Sequence, residues 1–359
     1  MLIGLDFGSH HSSLGLWIPE TGLVQVFADD MGSRHIPCII GFRRDEVLVG
    51  HSALVQRHKN HANTFDNIRK LLENESSHEI YVPVLEKNLT VIELASHYFR
   101  HLSNQVKDQI GKQVKDCVVT IPLDSSELLK SNLIEAARGG GLKIRSFVHD
   151  SVAAPLAHRL DDVGQERAVT VVVDFGWSKC EISCLEIVSG VLAPLSNNVS
   201  KNVCGASFVE ALTKHCAKDF QRRAKFSCLD NARSMMRLTT ECESAIKILS
   251  TSAEAAIDLD SLCEGVDYAG KISRVRFEDL CLTSFMAFRE LVQSSIAQAI
   301  ENYAQLQLGE ISADSFTHII LAGKSPVPSL MFLFLTLGDL VRWFQLRPKD
   351  PIHSFDSPP

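Results

Sequence analysis

The strongest constraint on this chain is a long-period internal repeat. Leu5-Asp6-Phe7-Gly8 recurs as Val173-Asp174-Phe175-Gly176, each time after an apolar run. The offset of 168 residues holds downstream without a gap: Trp17 aligns with Leu185, Thr21 with Ser189, Gly22 with Gly190 and Leu23 with Val191. Each copy reads as strand, tight turn, strand, Gly-containing turn, strand. The second strands are Leu14–Ile18 and Glu181–Ile187, and the third are Val24–Phe27 and Val191–Leu195. Alternation and turn glycines fit β-hairpins. An apolar strand ending in Asp-x-Gly suits phosphate chemistry, because Gly lets backbone N–H groups approach an anion closely. The Asp can hold a hydrated Mg²⁺. Two such hairpins, one per lobe, would grip a triphosphate from both sides.

The remaining pattern alternates helices and strands, which predicts mixed α/β lobes. Strands are expected from Ile36 to Val49 around a turn at Arg43–Glu46, and a helix over His58–Leu72. A long amphipathic helix follows over Thr90–Ile110, then a buried strand Asp116–Pro122 stopped by proline. A helix over Ser125–Gly140, a strand Ile144–Val148 and a short helix Val152–Leu160 complete the first lobe. The second lobe repeats the order: strands to about 204, helices from 206 to 250, a β segment at Ala256–Asp260, a helix Phe277–Leu306 and a strand His318–Leu321. The domains are then 1–167 and 168–328, with a divergent apolar tail over 329–359.

Several function classes are excluded or disfavoured. The net charge of -7 argues against broad nucleic-acid binding. The ten cysteines form no CxxC pair, so they read as free buried thiols in a reducing compartment. The N-terminus has no basic n-region before Asp6, so no signal peptide is expected. The apolar stretch Leu330–Leu346 is broken by Asp339 and Arg342 and makes a poor membrane span. No GxSxG, HExxH, P-loop or GxGxxG motif occurs. Fourteen histidines lack Cys or carboxylate partners at ligand spacing, so no metal site is read from them.

Ordered motifs carry a resemblance. They are Ile3-Gly4-Leu5-Asp6-Phe7-Gly8-Ser9, Asn63-Thr64-Phe65, Val118-Val119-Thr120-Ile121-Pro122, Val173-Asp174-Phe175-Gly176, Asp260–Gly265 and Ser273–Glu278. As a set they resemble the nucleotide-binding domain of the 70-kilodalton heat-shock, DnaK-type, chaperones, from Met1 to about Pro328. The stretch from Phe220 to Met236 looks closest to the atypical ribosome-associated branch, the heat-shock-protein-14 or Ssz-like group. The resemblance implies a duplicated actin-like ATPase fold with ATP and Mg²⁺ in a cleft between two lobes. It implies a cytosolic, stress-response chaperone that acts on nascent or unfolded polypeptide through a J-domain co-chaperone, near the ribosome, with little ATP hydrolysis of its own. No membrane or specific nucleic-acid partner is implied.

The same resemblance assigns roles. Asp6 and Asp174 match the carboxylates that hold hydrated Mg²⁺, and Asp174 also orients the attacking water. Gly8, Ser9 and the adjacent His10 match the first phosphate loop; Gly176, Trp177 and Ser178 match the second, with Gly205 just after its hairpin. Glu243, Lys247 and Ser250 match adenosine-holding positions and share one helix face at i, i+4 and i+7. Gly323 matches the adenine-side loop. Arg69 stands where the family has its catalytic Lys, which keeps the charge but not the shape. Asp150-Ser151-Val152 replaces the Glu-Pro-Thr switch, and Ala322-Gly323-Lys324-Ser325-Pro326 lacks the family's adenine-flanking Arg. Trp177 is expected to put bulk at the second loop and Lys179 to add a cation there.

Two other functions fit the pattern: a non-enzymatic scaffold of the same fold, favoured by Arg69, Trp177 and Pro326, and a small-molecule kinase of the actin-like superfamily. The tail admits three readings: a capping helix, a partner-binding face, or a truncated or alternatively spliced end.

Overall fold

The computed structural model describes residues 1–161, 167–307 and 309–323. The tail from 329, and Lys324–Pro328 before it, lie outside the described residues. The chain divides into two compact units, Met1–Ala153 and Ala154 onward.

In the first unit, β1 (Leu2–Phe7) buries Ile3, Leu5 and Phe7 and turns Gly4 and Asp6 to the other face. This parity is what places Asp6 on an open surface. The strand β2 (His11–Ile18) returns antiparallel, and β3 (Leu23–Val26) forms an exposed edge. The short strands β4 (Ile36–Pro37), β5 (Ile39–Phe42) and β6 (Val47–Val49) follow, with Arg43 N–H bonded to Glu46 O across the expected turn. Helix α1 covers His51–Gln56.

The helix expected over 58–72 is not formed. A 3-10 turn at His61–Asn63 leads into β7 (Thr64–Asp66), which pairs with β5, and only Ile68–Leu71 is helical as α2. The cause is local. The Asn60 side chain donates to Phe42 O (2.8 Å), Thr64 Oγ1 donates to Asn60 O (2.7 Å), and Asn67 takes a left-handed backbone to cap α2. Asn and Thr side chains thus occupy backbone groups that a helix would need. A hairpin of β8 (Glu79–Val82) and β9 (Lys87–Thr90), not anticipated, precedes α3 (Val91–Ile110). Thr90 and Glu93 cap that helix reciprocally. Strand β10 (Asp116–Ile121), α4 (Glu127–Gly139) and β11 (Lys143–His149) follow, and α5 (Asp150–Ala157) runs from the end of this unit into the next. The sheet order is β11-β10-β1-β2-β3, with β1, β10 and β11 parallel, so Asp6, Thr120 and His149 end their strands at one edge.

In the second unit, β12 (Ala168–Phe175), β13 (Cys180–Val188) and β14 (Val191–Ser200) repeat the β1-β2-β3 path. Helices α6 (Gly205–Ala224) and α7 (Ala232–Leu249) follow. The expected β segment is the first strand of a longer hairpin, β15 (Glu254–Cys263) and β16 (Val266–Ser273). Helix α8 (Arg274–Gln305) leads to β17 (Phe316–Ala322), parallel to β12. The order β14-β13-β12-β17 mirrors β3-β2-β1-β10. Strand β12 reads as a continuous apolar run because both faces are covered. Val169, Val171, Val173 and Phe175 enter the main core, whereas Ala168 and Val172 join a smaller cluster with Leu160, Leu185, Ile187 and Ile320. Asp174 shares the parity of Val172, as Asp6 shares that of Gly4. The motif phenylalanines anchor both cores: Phe7 lies 5.3 Å from Phe99, and Phe175 stacks on Phe208 at 5.6 Å. All ten cysteines are free and buried. Among the described residues, no helix is long and apolar enough to cross a membrane.

Candidate functional site

In the first unit the candidate site is the turn after β1. Gly8 N–H bonds His11 O at 3.0 Å and closes the hairpin. A Cβ on Gly8 would stand 2.6 Å from that oxygen, so the turn admits only glycine. Ser9 is buried and His10 is partly exposed, with its ring edge-on to His11. Cys38 holds the turn from below: its N–H bonds His10 O (2.8 Å) and its thiol bonds Gly8 O (3.3 Å). Cys38 belongs to a buried cluster in which Tyr98 O–H donates to Ser12 Oγ (2.9 Å), itself 3.0 Å from Cys38 Sγ. Burial pushes the Cys38 thiol up to about 11, so it stays protonated and can donate.

Two groups bear on Asp6. Thr120 Oγ1 donates to Asp6 Oδ1 at 3.1 Å. Arg69, on α2, donates from Nη1 to Phe7 O at 3.2 Å and lowers the Asp6 pKa through its charge. Crowding by protein atoms is the larger influence and raises the carboxyl above its usual value. The carboxyl is still reached by solvent, as a ligand would require. The structure therefore brings Asp6, Gly8, Ser9, His10 and Arg69 together. Asp150 starts α5 at the same sheet edge, but two strands away, about 10 Å at the usual strand spacing.

In the second unit the turn after β12 repeats the plan of the turn after β1. Gly176 N–H bonds Lys179 O at 3.0 Å, and a Cβ on Gly176 would stand 2.9 Å from that oxygen. Helix α6 begins on the turn: Gly205 N–H donates to Gly176 O (3.0 Å) and Ala206 N–H to Trp177 O (2.9 Å). Those two helix donors are thus spent on turn carbonyls. Gly323, at the end of β17, has φ of 98° and lies against the Phe175 backbone. Asp174 is half-buried, opposite Glu181 on β13 and Ala322 on β17. Ser178 is partly buried in the same turn.

Two side chains of this turn are engaged within the second unit. The Trp177 side chain packs against the hydrophobic core. Lys179 is not an uncommitted cation, because its Nζ pairs with buried Glu181 Oε2 at 2.8 Å. In the second unit, Glu243 and Lys247 share one face of α7, as the spacing requires, and pair with each other at 2.7 Å. Ser250 caps the end of α7 and returns its hydroxyl to Ile246 O (3.2 Å).

Sequence reasoning assigned no role to Thr120, Cys38, Tyr98 or Glu181. Thr120 had a signal, since it alternates with buried Cys117, Val119 and Ile121. Glu181 had another, as a carboxylate at the head of an otherwise apolar strand. Cys38 and Tyr98 had none, because their partners lie 26 to 86 residues away.

These features fit a magnesium nucleotide. Both turns are cradles that a Cβ would fill, and each follows a strand ending in a carboxylate. Among the described residues no group of three or more His, Cys, Asp or Glu could hold a metal by itself.

Comparison with known proteins agrees. The family model described as Hsp70 protein matches residues 2–328. Human heat shock 70 kDa protein 14 is 29% identical over 98% of this chain and 71% of its own length. The 14-A protein of Xenopus laevis is 28% identical with the same coverage. Heat shock 70-related protein 5 of Dictyostelium discoideum is 26% identical over 94% of this chain and 70% of its own length. With nearly all of it matched by one family, and two hairpins built to the same plan, the chain belongs to the Hsp70 family and carries its actin-like ATPase domain.

Proposed function

We propose that this chain is an ATP-binding, cytosolic chaperone component that assists nascent or unfolded polypeptides together with a J-domain co-chaperone at the ribosome, and that it hydrolyses ATP weakly. The Hsp70 family generally binds ATP with Mg²⁺, and typically binds unfolded polypeptides and co-chaperones. The observation that supports the reading best is the repeated turn, with Gly8 N–H to His11 O and Gly176 N–H to Lys179 O both at 3.0 Å.

In this reading Asp6 and Asp174 would hold hydrated Mg²⁺, and the Gly8 and Gly176 turns would take phosphate. When bound, Mg²⁺ supplies charge neutralisation to the phosphates. Glu243, Lys247 and Ser250 offer one polar helix face to the adenosine, and Gly323 keeps the adenine side open. Weak hydrolysis follows from Arg69. Its guanidinium is planar and already spends one N–H on Phe7 O, so it positions an attacking water less freely than a lysine ammonium would.

A second reading, a non-enzymatic scaffold, draws support from the Lys179–Glu181 pair. It ties up a charge that would otherwise meet phosphate. The family match runs against the small-molecule kinase alternative.

Calorimetric titration with ATP·Mg²⁺, beside an Asp174→Ala control, tests the proposal. Saturable binding that the substitution abolishes is the expected result, and a hydrolysis assay then separates enzyme from scaffold. A folded chain that binds no nucleotide overturns the ATP reading.

A further inference from the structure

Helix α6 carries Arg222 and Arg223 in its last turn. Basic side chains are the ordinary answer to a helix C-terminus, which presents only about half a negative charge. Here the fold adds more. The two arginines line a cavity of about 200 Å³ together with Lys271 on β16, buried Tyr268 and half-buried His215. Asp219 is the one carboxylate among the residues lining it. Three cations thus face one carboxylate and a partial charge, and the cavity keeps an excess of positive charge.

The cations are held in place rather than loose. Arg223 donates from Nη1 to Ala269 O at 2.7 Å and pairs through Nη2 with Asp219 Oδ2 at 2.6 Å. Its guanidinium lies 5.8 Å from the centre of the Tyr268 ring. Asp219, whose side chain is 13% exposed, takes Arg222 on its other oxygen. One shielded carboxylate therefore orients both forks, and a guanidinium placed in advance loses less freedom when it meets a ligand. Arg222 and Lys271 are 76% and 65% exposed, so the cavity opens to solvent. Lys271 pairs with Glu254, which is itself 51% exposed. Water weakens such a pair, and an incoming anion can compete with it. His215 reports the same field: burial lowers its pKa most, and Arg276, Arg222 and Lys218 lower it against Asp219 alone.

Volume decides the size of the ligand. Pockets for drug-sized molecules hold roughly 300–1,000 Å³, and this one is smaller. A tetrahedral oxyanion fits it, and planar guanidinium forks match pairs of its oxygens. We propose that the cavity bounded by Arg222, Arg223, Lys271 and His215 binds phosphate, free or as the terminal group of a small phosphomonoester. The phosphate oxygens replace Glu254 at Lys271 and accept from arginine N–H groups that Asp219 and Ala269 O do not use. Protonated His215 is a further donor. The site is built by α6 and the β15–β16 hairpin alone and shares no residue with the Gly176 turn.

The test titrates the full chain with inorganic phosphate, with chloride holding the ionic strength constant, and follows the His215 imidazole by NMR. Loss of one signal in His215→Gln assigns it. Phosphate is expected to shift that signal saturably and to raise the pH midpoint of His215, because a bound anion favours the imidazolium. Lys271→Gln, at an exposed side chain, should weaken binding about tenfold. A parallel titration with glycerol phosphate separates the two sources: tighter binding assigns a phosphomonoester, and equal or weaker binding assigns free phosphate. The proposal is overturned if phosphate moves the His215 signal no more than chloride does. It is overturned equally if calorimetry finds phosphate bound while His215 is unaffected, since the anion then sits elsewhere. Unchanged affinity in a chain carrying both Arg222→Gln and Lys271→Gln also overturns it.

Discussion

Gly323 lies so close to Phe175 that a Cβ built on it would stand 2.3 Å from the Phe175 carbonyl oxygen and 2.8 Å from its nitrogen. The contact is backbone against backbone, so no rotamer change relieves it. It packs the end of β17 onto the residue between Asp174 and Gly176, and so helps set the position of the second turn.

Gly323→Ala is therefore expected to be costly. The backbone at φ of 98° is already unfavourable for any residue with a Cβ, and the steric overlap adds to it. Together they cost roughly 2–4 kcal/mol. Urea denaturation measures this. A loss below about 0.5 kcal/mol, the size typical of a neutral surface change, would show that the strand end relaxes freely.

Asp6→Asn should separate stability from ligand binding. The Asp6 pKa is raised on folding, so the folded chain holds its proton more tightly than the unfolded chain. The ionised carboxylate then costs stability above the folded value, and the cost is gone below the ordinary aspartate value of 3.8. At pH 7 the Asn variant should be as stable as wild type or more so, since Asn still accepts from Thr120. That advantage should shrink as pH falls through the folded pKa. Affinity for ATP·Mg²⁺ should fall at the same time. Denaturation curves at several pH values, with calorimetry at pH 7, check both halves; a variant less stable than wild type at pH 7 contradicts the first.

Lys179→Met removes one partner of Glu181, whose side chain is only 2% exposed. Breaking one side of a buried pair weakens the compensation of the remaining charge, at a cost of up to about 3 kcal/mol. Replacing both residues, Lys179→Met with Glu181→Leu, should restore most of that loss. Guanidinium denaturation of the single and double variants decides it. Equal stability of the single variant and wild type would mean that Glu181 finds another partner or a proton at little cost.

Much of the candidate site was legible because the repeat fixes side-chain parity. Strands that end in Asp-Phe-Gly send Phe7 and Phe175 into the cores and the two carboxylates to the other faces, and period-2 alternation is enough to say so. The tight turns were legible for a similar reason, since only glycine fits where the next strand's carbonyl returns. The helix over 58–72 misled because its apolar spacing is helical while Asn60, Thr64 and Asn67 divert the backbone. Spacing records which residues are apolar; it does not record which side chains will occupy backbone groups.

By itself the sequence determined the duplicated strand–turn–strand plan, the positions of Asp6, Gly8, Asp174 and Gly176, and the family to which they belong. These are local properties, set by alternation and by the steric demands of a turn. Only the tertiary structure decided that Trp177 packs into the core, that Lys179 is paired, that Arg69 reaches Phe7 and that Cys38 and Tyr98 support the first turn. Each of those depends on neighbours that the fold brings to the side chain, and a one-dimensional pattern carries no record of where such neighbours will stand.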